Sequence, residues 1–167
     1  MEKIKVLFVC LGNICRSPMA EAVMRHKVNE AGLESYVEID SAGTGDWHIG
    51  KPPHAGTKKI LDDRSISYAG MAARQLQQED KHLFHYIICM DSQNLIDAKR
   101  MLNVKTGELT DHSKLITFMS LVPKHDVSDV PDPYYTGNFE YVYELINEGC
   151  SQLVSEIKAL LVDKGII

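Results

Sequence analysis

The chain has 167 residues, 44% hydrophobic and 25% charged, with a formal net charge of −5. That suits one domain around one core, residues 1–167, and leaves no global basic field to recruit nucleic acid or an acidic membrane. No apolar run approaches the ~20 residues of a membrane span. Nothing at the N-terminus reads as a signal peptide, and four cysteines without one fit a reducing cytoplasm rather than a disulfide framework. The expectation is a cytoplasmic monomer without nucleic-acid or membrane partners, in which any anionic ligand needs a local positive site.

Residues 4–10, IKVLFVC, are a near-continuous apolar run rich in β-branched side chains, the pattern of a central parallel strand. Residues 18–32 carry Ala20, Val23, Met24, Val28 and Ala31 at helical spacing, with Pro18 expected at the first helical position and Gly32 at the stop. Residues 36–43 alternate as a second strand, and 43–53 form a turn-rich loop. A helix follows at 54–64, and a short one within 75–84. Residues 86–91, YIICMD, read as a buried strand, with a helix starting at Ser92 and a fourth strand at 114–119. Residues 122–138 hold three prolines and three aspartates in one long loop, a length that in a compact domain usually marks function. From 139 to 164, Phe139, Val142, Leu145, Ile146, Leu153, Ile157, Leu160 and Leu161 share one helical stripe. This β-α alternation predicts an α/β fold: a four-stranded parallel sheet with helices on both faces, doubly wound and flavodoxin-like.

In such sheets ligands bind beyond the carboxyl ends of the strands, where Cys10 stands. Residues 11–15 are a short loop, and a helix begins near residue 17. The amides of such a loop can turn inward as an anion nest, reinforced by the helix N-terminus. Gly12 and Asn13 are the residues that tolerate left-handed backbone. Arg16 can fork onto two oxygens of a phosphate. The same surroundings favour the Cys10 thiolate, a nucleophile at the floor of an oxyanion cradle. Ser17 can donate to that sulfur or cap the helix. Cys10 and Cys15 do not read as a zinc pair, because no second pair of ligands stands at suitable spacing.

The run CLGNICRSP followed by MAE, together with DPYYTG at 132–137, resembles the low-molecular-weight protein tyrosine phosphatases. SAGTGDWHIGKPPH and YIICMD resemble other segments of that family in the same order, so the resemblance covers nearly the whole chain. It implies that Cys10 attacks a phosphotyrosine and forms a phosphocysteine, and that Arg16 and the amides of residues 11–16 hold the phosphate. Asp132 would serve as general acid and then general base. Spacing alone does not choose among Asp126, Asp129 and Asp132; the Asp-Pro-Tyr-Tyr match puts Asp132 first and Asp129 second. Asn13 matches the asparagine that braces the loop, and Ser17 the serine that bonds the thiolate. Leu11, Gly12, Ile14 and Cys15 would line the cradle, its depth set in part by Ile14. Trp47, Tyr134 and Tyr135 would wall the pocket for a planar ring.

For Cys15 the resemblance implies a disulfide with the nucleophile, beside the plainer reading of packing under the loop. For Tyr134 and Tyr135 it implies phosphorylation, beside a role in shaping the rim. Cys89 and Cys150 read as core thiols, and His48 and His54 as solvated loop residues. Where some members carry a histidine that steadies the asparagine, this chain has Met71, so Ser41 or a backbone group must hold Asn13. The implied partners are a phosphotyrosine protein or peptide and inorganic phosphate as product and inhibitor; no cofactor or metal is implied. An arsenate reductase on the same fold needs two resolving cysteines on a mobile loop, which the placement of Cys89 and Cys150 does not supply. A non-enzymatic anion-binding module would need neither the thiol nor the acid loop.

Overall fold

The structure, a computed structural model, describes residues 2–104 and 113–167. Four parallel strands, β1 (Ile4–Cys10), β2 (Val37–Gly43), β3 (Tyr86–Cys89) and β4 (Lys114–Thr117), lie in the order β2-β1-β3-β4. The doubly wound α/β expectation therefore holds, with β1 inside the sheet and the order reversing beside it.

Alternation along β1 divides the core. Val6, Phe8 and Cys10 face α1 (Arg16–Glu30) and α6 (Phe139–Asp163), whereas Leu7 and Val9 face α4 (Ser92–Met101) through Ala98 and Leu102. Burial on both faces explains why the strand reads as a continuous apolar run. The stripe expected over 139–164 is the buried face of α6, from Val142 to Leu161. This 25-residue helix is about 37 Å long at 1.5 Å per residue. Two shorter helices, α2 (Ala55–Asp62) and α3 (Asp80–Leu83), complete the segment between β2 and β3.

Three local expectations are corrected. Helix α1 begins at Arg16, so Pro18 is the third helical residue; that position is equally free of an intrahelical N–H bond. The fourth strand stops at Thr117, and Phe118–Leu121 turn as a 3₁₀ helix. The long loop contains a helix of its own, α5 (Pro133–Thr136), with Asp132 as its N-cap, Pro133 in the first turn and left-handed Gly137 as its stop.

Candidate active site

Cys10 ends β1 opposite Gly43, and the chain folds into a loop before α1. The carbonyls of Cys10, Leu11 and Ile14 turn outward and accept from the N–H groups of Thr44, Gly45 and His54, at 2.9, 2.9 and 2.7 Å. The amides of Gly12, Ile14 and Cys15 donate to no protein acceptor among the described residues, while Asn13 N–H donates to Cys10 Sγ at 3.3 Å. Unengaged amides around one sulfur form a nest for an anion. Asn13 supplies the left-handed residue, with φ of 56°. Gly12 does not adopt positive φ; its missing Cβ leaves room for His48 Cδ2, which would stand 3.0 Å from one. Gly43 lets the two backbones meet, since a Cβ there would lie 2.8 Å from Leu11 O.

Behind the loop, hydrogen bonds fix the sulfur. Ser17 does not cap α1. Its hydroxyl lies 2.9 Å from Cys10 Sγ and accepts from Asn13 Nδ2 at 2.8 Å, so its own proton is free for the sulfur. Asn13 Nδ2 also donates to Ser41 Oγ at 2.9 Å, and Arg74 N–H donates to Asn13 Oδ1 at 2.9 Å. Both candidates for the missing histidine's work are thus in use, the Ser41 side chain and a backbone group. Ser41 in turn donates to the buried Glu21 at 2.6 Å. Burial raises the Glu21 carboxyl above its ordinary value, against the Ser41 hydroxyl and Arg25, which lower it. Asn13 and Ser17 are buried beneath the cleft and do not line it.

Arg16 is 2% exposed. Its Nη1 donates to Asp91 Oδ2 at 2.7 Å and to Val130 O at 2.9 Å, and its Nη2 to Asp132 Oδ2 at 3.3 Å. Its Nε is buried without a partner among the described residues. Burial would lower the Arg16 pKa, but Cys10, Asp91 and Asp132 more than offset it, and the guanidinium stays charged. An unpaired buried donor is costly, and Arg16 lines the same cleft as Cys10.

The cleft above this floor has a volume of about 330 Å³. Cys10, Leu11, Gly12, Ile14, Cys15 and Arg16 form its base; Trp47, Tyr134 and Tyr135 stand around its mouth, with Asp132 and His48. The aromatic rings are well exposed, Trp47 at 65%. The rings flanking Tyr134 are Tyr135, His48 and His54. Both histidines are half-buried and engaged, which corrects their reading as solvated: His48 lines the cleft, and His54 caps α2 by accepting from Gly56 N–H at 3.0 Å.

The three loop aspartates separate in space. Asp129 Oδ1 accepts from Ser92 N–H and O–H at the start of α4, at 2.9 and 2.7 Å. Asp126 is exposed and does not line the cleft. Asp132 bridges, with Oδ1 accepting from Tyr134 N–H at 3.1 Å and Oδ2 beside Arg16. All four cysteines are free thiols. The Cys15 pKa is pushed up to about 12 by burial, then by Cys10 and Asp132. Cys89 and Cys150 lie fully buried in β3 and α6, far from any relay geometry on a loop. No helix is long and apolar enough to cross a membrane, among the described residues.

Sequence reasoning missed Asp91, Glu21 and Arg74. Asp91 ends YIICMD, whose apolar run reads as a buried strand and draws no attention to the carboxylate. A carboxylate directly before a helix starting at Ser92 is an N-cap signal that would have singled it out.

A thiol at the floor of an amide nest, at the carboxyl end of a parallel sheet with a guanidinium beside it, defines a cysteine-based phosphate-ester site on an α/β fold. The chain belongs to the family described as low molecular weight phosphotyrosine protein phosphatase, whose model matches residues 5–162. It is 52% identical over 155 residues to the low molecular weight protein-tyrosine-phosphatase YfkJ of Bacillus subtilis, covering 93% of this chain and 96% of that one. It is 46% identical to PtpA of Staphylococcus epidermidis over 154 residues, covering 92% and 94%. The crystal structure of YfkJ superposes with a TM-score of 0.88 over 95% of this chain and 97% of that one, at 50% identity. The phosphatase from Streptococcus pyogenes does so with 0.77 at 38% identity, over 92% of each chain. The protein is a protein-tyrosine-phosphatase whose substrates are phosphoproteins, and these relatives do not favour an arsenate reductase.

Proposed function

We propose that this chain hydrolyses phosphotyrosine in two steps, with Cys10 as nucleophile and Asp132 as the acid and base. The Cys10 thiolate attacks phosphorus; the S–P bond forms as the bond to the tyrosyl oxygen breaks, and Asp132 gives that oxygen its proton. Water then attacks the phosphocysteine and gives a proton to Asp132. The S–P bond breaks, and inorganic phosphate leaves a restored thiolate. Arg16 takes the equatorial oxygens through Nε and Nη2, and the amides of Gly12, Ile14 and Cys15 take the rest. Phosphoryl transfer is mostly positioning and charge stabilisation, and this cradle supplies both.

The observation that carries the reading is the Arg16 guanidinium. Clamped on Nη1 by Asp91 and Val130, it lines the cleft with Cys10 and has a buried Nε without a partner among the described residues. Asp132 is preferred to Asp129 because its Oδ2 is at the cleft, whereas Asp129 is engaged by Ser92. Trp47, Tyr134 and Tyr135 are the walls for the substrate ring, and Leu11 and Ile14 its apolar lining. The same reading takes a phosphotyrosine protein or peptide as partner, inorganic phosphate as product and inhibitor, a monomer as the working unit and the cytoplasm as its place.

The test is hydrolysis of p-nitrophenyl phosphate, with EDTA present, by the wild type, Cys10→Ser and Asp132→Ala. Turnover by the wild type alone supports the reading. An active Cys10→Ser variant removes the nucleophile and the mechanism with it. Near wild-type activity in Asp132→Ala transfers the acid role elsewhere in the loop, with allowance for a leaving group that needs less protonation than tyrosine.

A further inference from the structure

Tyr134 sits on α5, a helix of four residues, and its ring is 54% exposed. So short a helix cannot by itself fix the direction of a side chain at the mouth of a cleft. Behind the ring stands His54, edge-on, with centroids 5.9 Å apart and planes at 73°. The imidazole lies flat on Phe139, the first residue of α6, at 5.3 Å and 17°. Gly56 allows this stack, because a Cβ there would fall 2.4 Å from the Phe139 ring.

His54 is tied at two further points. Its Nδ1 accepts the Gly56 N–H at 3.0 Å, capping α2, and its own N–H donates to Ile14 O at 2.7 Å. One residue thus joins the phosphate loop, the start of α2 and the start of α6, and presents a ring to the wall of the cleft. It does not line the cleft itself.

We propose that His54 is the positioning residue of the Tyr134 wall and sets the affinity of the site for the aryl part of its substrate, an assignment that rests on the phosphatase reading. The phosphate half of the site is held by other groups, so the two halves separate in measurement. His54→Asn keeps a cap-forming acceptor and removes the ring; His54→Phe keeps a ring on Phe139 and Tyr134 and removes the cap. Inhibition constants for benzylphosphonate and for inorganic phosphate are measured for each variant.

The expected result is benzylphosphonate binding weakened about three- to tenfold in His54→Asn, the loss of one aromatic pair, with phosphate unchanged and His54→Phe near wild type. An unchanged ratio of the two constants in His54→Asn overturns the proposal. So does equal weakening of both ligands, which marks a general structural role, or a His54→Phe variant as weak as His54→Asn. Failure of the phosphatase reading shows separately, as a wild type that binds neither ligand.

Discussion

Asp91→Ala removes two things at once. Asp91 Oδ2 holds Arg16 Nη1 at 2.7 Å, and Oδ1 caps α4 through Asn94 N–H, also at 2.7 Å. Loss of a cap costs about 1 kcal/mol. Loss of one partner of a fully buried ion pair costs about 3–5 kcal/mol. Here the cost is lower, about 2–3 kcal/mol, because Val130 O and Asp132 still hold Arg16 and the Asp91 side chain is 20% exposed. The sum is about 3–4 kcal/mol, which lowers the melting temperature by roughly 10 °C for a chain of this size. Activity falls further than stability suggests. An Arg16 free to change rotamer misplaces its Nε, and a displacement of about 1 Å costs on the order of 100-fold in rate. The assays are thermal unfolding and kcat/KM for p-nitrophenyl phosphate. Asp91→Asn separates the two terms, since it retains the cap acceptor: it recovers about 1 kcal/mol of stability and stays impaired in turnover. An Asp91→Ala variant with kcat/KM within threefold of wild type refutes the view that the Asp91 clamp aims Arg16.

Stoichiometric iodoacetate at neutral pH alkylates Cys10 and spares Cys15, whose proton is held by burial and by the charges of Cys10 and Asp132; inorganic phosphate protects, and peptide mass spectrometry that finds Cys15 modified first contradicts this. The Glu21 carboxyl, raised in the fold by burial, favours the folded state fully only below its unfolded value of about 4.3 and loses that advantage as pH rises through its higher folded value. Urea unfolding of wild type and Glu21→Gln should therefore show the wild type losing stability relative to the variant between pH 4 and neutrality. A difference independent of pH contradicts the assignment. Gly43→Ala places a Cβ 2.8 Å from Leu11 O and 3.2 Å from Asn13 N, both backbone atoms of the phosphate loop. It should cost about 1–3 kcal/mol in stability and depress phosphate binding together with turnover.

Much of the site was legible because its signals are local. The run of residues 4–10 gives a strand buried on both faces, and a cysteine at its end followed by a loop and Arg16 gives an anion cradle. The stripe of α6 was readable for the same reason, a period repeated over 25 residues. The clamp on Arg16 was not, because Asp91 lies 75 residues away and meets it only through the order β1-β3 in the sheet. The Asp-Pro-Tyr-Tyr resemblance ranks Asp132 above Asp129, but the engagement of Asp129 by Ser92, a contact spanning 37 residues, was not legible. The short helix at residues 133–136 has an Asp-Pro opening as its start signal, but four residues are too few for any periodicity to show. His48 and His54 look solvated in sequence because they lie in or at the end of a turn-rich loop; the rings that cover them come from α5 and α6.

The central claim is that phosphate passes through Cys10. Wild-type enzyme mixed with p-nitrophenyl phosphate, quenched in acid within the first turnover and digested, should yield the Cys10 peptide carrying one phosphoryl group, with none in Cys10→Ser. Nitrophenol released in a burst with no phosphorylated peptide, or with the group on Cys15, would contradict the account.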